Sequence, residues 1–145
     1  MRQGWILNRQ GKTGRAAVVY RGILETNPQF VPAMVELAWA LYGMDDFQGA
    51  LPHAEMAVKL QPDTGTHTLL GTVLSSSGRL DEAARELQEA IRLDRNNHSA
   101  HNNLGVVYEK RGDNAAAAAE YREALRLAPN EALYRNNLNR LEKRQ

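Results

Sequence analysis

The sequence predicts an all-α protein, an α-solenoid of stacked antiparallel helix pairs, and four observations carry that prediction. A small residue recurs at Gly4, Ala38, Gly71 and Gly105, at intervals of 34, 33 and 34. Ala16, Ala50, Ala83 and Ala117 keep the same intervals, as do Ile23, Ala57, Ala90 and Ala124. The prolines Pro28, Pro62 and Pro129 follow the same period, with Arg95 in the slot where one is missing. Within each unit, finally, apolar residues fall three and four apart, the period of a helix. A shared period with one shared shortening, near Asp63, leaves coincidence no room.

The clearest unit runs from His98 to Pro129. Leu104 and Tyr108 mark the buried side of a first helix; Ala117, Tyr121, Ala124 and Leu125 mark a second. Between them, Gly112 ends one helix and Asp113 caps the next. Pro129 closes the unit soon after. Leu104-Gly105, Tyr108, Ala117, Tyr121, Ala124 and Pro129 resemble the tetratricopeptide repeat, a helical hairpin of about 34 residues. His101 stands where that pattern favours tryptophan. The resemblance implies a right-handed superhelix and a protein-binding concave face.

Taken in order, the period divides one domain, 1–145, into hairpins 1–30, 31–63, 64–97 and 98–131 and a capping helix 132–144. The first hairpin has a truncated first helix, as though Met1 stood in for the start of a longer chain. In the second, Asp45 occupies the turn position held elsewhere by Gly11, Gly78 and Gly112. Pro52 inside its second helix removes a backbone bond, which predicts a bend with Pro52 on the solvent side. Gly or Ala at each crossing lets two helices approach while Leu7, Leu41, Leu74 and Tyr108 interdigitate around it. In the last helix Tyr134, Leu138 and Leu141 form one stripe, and Arg135, Asn139, Glu142 and Lys143 fall outside it. That suits a cap with one wet face.

Composition narrows the function. With 43% hydrophobic and 24% charged residues the chain reads as a soluble globular domain. A net charge of +1 gives no general electrostatic case for nucleic acid. The chain has no cysteine, hence no disulfide and no thiolate metal site. No apolar run approaches the roughly 18 residues of a membrane span, and MRQGWILNRQGK lacks the apolar centre of a signal peptide. Cytoplasm and periplasm both fit, and the alanine-rich, arginine-over-lysine composition reads as bacterial in style.

A G-x-S-x-G elbow and a phosphate-cradling loop are both missing, so the expectation is a non-enzyme without cofactor or metal. His98 and His101 share a helix face, but no acidic pair at matching spacing completes a metal site. His67 and His101 occupy one repeat slot and read as interface histidines. Asp81, Glu82, Glu86 and Glu89 read as solvated, several pairing with arginine one turn away.

The remaining working part is surface. First helices of successive hairpins line the concave side, and the stripe rotated away from the hairpin interior should face it. That stripe comprises Asn102, Asn103, Val106, Glu109 and Lys110 in the fourth hairpin. Its equivalents are Arg2, Trp5, Asn8 and Arg9; Val35, Glu36, Trp39 and Tyr42; Thr68, Leu69, Thr72, Ser75 and Ser76; and Asn136, Asn137 and Arg140. Trp5 and Trp39, the only tryptophans, share a slot, and Tyr42 lies a turn from Trp39. Exposed aromatics on a concave wall suggest apolar anchors.

Asn102, Asn103 and Asn137 offer amides that match a peptide backbone, a use the family resemblance implies. Arg140 would favour an acidic ligand residue, with Asn8 and Arg9 extending the surface at the other end. Chaperone-binding members of the family grip a terminal carboxylate with Lys, Asn and Arg. Glu36, Thr68 and Val106 leave that set incomplete here, so chaperone tails are not expected ligands. The expected partner is a protein or peptide segment. The rival expectations are self-association through the truncated first hairpin near Trp5 and Leu7, within a larger scaffold, and a substrate-selecting module fused to an enzyme.

Overall fold

The computed structural model describes residues 3–4 and 12–144. Gln3 and Gly4 are helical. Beyond them the described residues form eight helices: α1 Thr13–Thr26, α2 Val31–Gly43, α3 Phe47–Leu60, α4 Thr64–Ser76, α5 Leu80–Leu93, α6 His98–Lys110, α7 Asn114–Leu127 and α8 Ala132–Glu142. Each helix packs on the next, and α4 also touches both α2 and α6, so these first helices stand side by side in one wall. A buried core runs through the stack from Ala16 to Val107, and a second cluster joins α7 to α8, with Tyr108 against both.

The hairpin turns repeat one geometry. The backbone N–H of Asp46, Arg79 and Asp113 donates to the carbonyl of Leu41, Leu74 and Tyr108 at 2.9, 3.0 and 2.9 Å. Such a turn needs one residue in the left-handed region. Gly78 (φ 82°) and Gly112 (φ 83°) supply it freely, and Asp45 adopts φ 60° in the same place. The second hairpin thus keeps the turn despite lacking glycine. Asp46 and Asp113 then cap α3 and α7, accepting from the N–H of Gly49 and Ala116. Arg79 begins α5 without a side-chain cap.

Helix α3 continues across Pro52, which is exposed, so the ladder position without an N–H lies on the outer face. The one-residue shortening of the period also has a location. The loops between hairpins span 27–30, 94–97 and 128–131, but only 61–63 between α3 and α4.

At the crossings, residues 16 apart fit as small against large. A Cβ added to Gly4 would lie 2.6 Å from the Tyr20 ring, one on Gly71 2.6 Å from Leu87, and one on Gly105 2.7 Å from Tyr121. In the second hairpin the same offset pairs Ala38 with Ala54, both fully buried.

Candidate functional site

The wall of α2, α4 and α6 carries two depressions. The larger is a cleft of about 500 Å³ at the short 61–63 loop. Val31, Pro32, Val35, Glu36 and Trp39 of α2 line one side; Gln61, Asp63, Thr66, Thr68, Asn97 and Ser99 line the others. Val31, Val35 and Trp39 are spaced by four, so they form one apolar stripe, with Glu36 beside it. Trp39 is half-buried and meets Tyr42 edge-on, ring centres 5.8 Å apart, while Tyr42 packs on Phe47 at 5.3 Å. Toward the C-terminal ends of the same helices, Tyr42, Thr72, Ser76, Asn103, Val106 and Lys110 line a smaller pocket of about 110 Å³. Trp39, Tyr42 and Asn103 therefore belong to one face.

Between α4, α6 and α8 the wall is sewn with hydrogen bonds. Asn103 donates to the Thr72 hydroxyl at 2.8 Å and accepts from Asn102 at 3.3 Å. Asn102 accepts from Asn137 at 2.9 Å, and Asn137 accepts from Arg140 at 3.0 Å. Arg140 also donates twice to Glu109, at 2.7 and 3.0 Å, and Glu109 receives the Tyr121 hydroxyl and Arg144 as well. Burial alone would raise the Glu109 carboxyl; hydrogen bonds from Arg140 and Tyr121 outweigh it and hold it below the usual carboxylate range. Asn97 donates to Thr64 and Thr68, and Lys110 to Ser75. Across α2 and α4 there is only the bond between Ser76 and the Tyr42 hydroxyl, 3.2 Å.

These contacts correct several expectations. Asn102 and Asn137, expected to hold a ligand backbone, are 4% and 6% exposed and bond to each other. The following helix covers Asn102, whereas Asn136 on α8 has no such cover and is exposed. Arg140, expected to attract an acidic residue, already carries Glu109 and Asn137. Leu69, placed on the groove stripe, is wholly buried in the core. Asn103 remains half-exposed on the wall. Trp5, Asn8 and Arg9, with Arg2 and Leu7, lie outside the described residues.

The histidines are structural partners. His67 meets Glu86 at 2.6 Å and His101 meets Glu120 at 2.7 Å, the same bond in successive hairpins. Glu86 is thus engaged instead of freely solvated. His98 turns to the Tyr134 hydroxyl, 2.6 Å away, so the His98–His101 pair does not converge. Among the described residues no three His, Asp or Glu side chains gather as a metal would require.

Sequence reasoning missed the cleft's rim: Val31, Pro32, Asp63, Asn97 and Ser99. These sit at helix starts, outside the stripe that turns away from the hairpin interiors. Asp63 and Asn97 were findable, since N-caps also obey the 34-residue interval.

Stacked antiparallel hairpins whose first helices build a common wall define a repeat solenoid, a class that works through its extended surface. Residues 68–132 match the sequence model of the tetratricopeptide repeat, and the hairpins before them stack in the same way. No curated protein matches the sequence.

Solved structures share the fold. MamA from Desulfovibrio magneticus RS-1 is 24% identical with a TM-score of 0.79, over 90% of this chain and 75% of that one. Pseudomonas aeruginosa pilF is 23% identical with a TM-score of 0.85, over 99% and 66%. The tetratricopeptide-repeat domain of Arabidopsis OM64 is 23% identical with a TM-score of 0.72, over 78% and 94%. The fold supports, in general, a protein–protein interaction module.

Proposed function

We propose that the chain is a non-enzymatic module that takes an extended peptide or protein segment along the wall of α2, α4, α6 and α8. The supporting observation is the half-exposed Trp39 in the cleft of about 500 Å³, with Val31 and Val35 continuing its apolar stripe. A soluble chain gains nothing by leaving such a stripe wet, whereas a ligand side chain can be anchored on it. Tyr42 and Asn103 extend the contact toward the second pocket. Asn102, Asn137 and Arg140 keep the wall in shape.

Affinity should be near micromolar, roughly −8 kcal/mol, because a flexible segment is ordered on binding. The test is capture from the native source with wild-type and Trp39→Ala proteins side by side, circular dichroism verifying that both are folded. A partner held by the wild type should be lost or weakened by about 2 kcal/mol in the variant. Identical capture by both would remove the cleft from the binding surface.

A further inference from the structure

We infer that the Trp39 cleft selects a segment in which a large apolar residue is followed by arginine or lysine; this rests on the interaction reading above. Its volume, about 500 Å³, lies in the range of pockets that enclose a small ligand or a pair of side chains. The apolar part has an obvious seat on Val31, Val35 and Trp39. The charged groups lining the cleft are Glu36 and Asp63, both acidic.

The two carboxylates differ in what they already hold. Asp63 accepts from the Thr66 N–H at 2.8 Å and from Gln61 at 2.7 Å, capping the first turn of α4. Burial would raise its carboxyl, but those bonds prevail and keep it below the usual range, hence ionised. Glu36 is half-buried and accepts only the distant Tyr20 hydroxyl, at 3.5 Å, with no ion-pair partner among the described residues. It precedes Trp39 by three, so both project on one helix face. A guanidinium or ammonium there can pair with Glu36 and lie over the indole at once.

The opposite preference, for an anion, has a physical case that fails on detail. The starts of α2, α4 and α6 all reach this cleft, and each carries about half a positive charge. Asp63 and Asn97 already occupy the first turns of α4 and α6. At the start of α2, Pro32 contributes no N–H. One first-turn amide of α4 and one of α6 are thus taken and one is missing from α2, while the Glu36 and Asp63 carboxylates repel an anion.

Three blocked hexapeptides test this: Gly-Ser-Leu-Arg-Ser-Gly and its counterparts with Glu or Ser in place of Arg. Binding is read from Trp39 fluorescence in a Trp5→Phe background, where Trp39 is the sole tryptophan. The Arg peptide should bind about fivefold more tightly than the Ser peptide, the scale of one ion pair at a partly exposed site, and the Glu peptide most weakly. Glu36→Gln should abolish the difference between the Arg and Ser peptides, and Glu36→Lys should reverse the order.

Equal binding of all three, or preference for the Glu peptide, overturns the charge selection and leaves the interaction reading standing. Absence of binding by all three, while Trp39-dependent capture from the source persists, overturns the selection alone. Absence of both overturns the two together.

Discussion

Gly105 should be replaceable only when Tyr121 is changed with it. In Gly105→Ala the new methyl would lie 2.7 Å from Cδ1 and Cε1 of Tyr121 and 3.2 Å from the Ala117 carbonyl oxygen. The ring cannot simply swing aside, since it is fully buried and its hydroxyl is tied to Glu109 at 2.7 Å. Overpacking of this kind costs about 1–3 kcal/mol. Alanine's better helix propensity returns at most about 1 kcal/mol. With a rigid, tethered neighbour the net expectation is a loss of about 1–2 kcal/mol.

Removing the ring should reverse the sign. In a Tyr121→Ala background, Gly105→Ala should be neutral or stabilising by up to about 1 kcal/mol, as the Ala38–Ala54 pair of the second hairpin suggests. Urea unfolding followed by circular dichroism, over the four members of the cycle, measures both steps. If Gly105→Ala stabilised the parent protein, or had the same effect in both backgrounds, the close-approach argument would be refuted.

Other outcomes follow from the turns and the polar seam. Asp45→Gly should stabilise by about 0.5–1 kcal/mol, relieving a left-handed aspartate, and should raise the urea midpoint. Asn137→Ala leaves the buried Asn102 oxygen without its donor, so it should cost about 1–3 kcal/mol; replacing both asparagines by leucine should recover part of that loss. Glu109 is held below its usual range, so its contribution is complete above the unfolded carboxylate value, about 4.3, and lost as pH falls through the lower folded value. Stability measured from neutral pH down to about 3 should therefore fall more steeply for the parent than for Glu109→Gln.

Much of the architecture could be read from the sequence, because a period of 34 constrains many slots at once. Gly71 and Gly105 announced close crossings, and the shortened interval near Asp63 corresponds to the three-residue loop 61–63. The wall's chemistry was harder to read. Whether Asn102 or Asn103 faces outward depends on how the next helix covers it, and that is a property of stacking beyond any single helix. Thr68 and Thr72 on one side, with Asn97 and Asn103 on the other, are individually ordinary polar residues. Only their meeting across α4 and α6 makes them a seam. Arg140 looked available because Glu109 lies 31 positions earlier and no helical spacing links the two.

The uneven stitching has a mechanical consequence. From α4 onward, directional bonds resist sliding and splaying, so α4, α6 and α8 should move as a plank. The α2–α4 joint shares the buried core but has one side-chain hydrogen bond between its helices, Ser76 to Tyr42, beside a cleft, so it should be the more compliant one. Changes in groove width would therefore be made there, with Trp39 riding on the moving jaw.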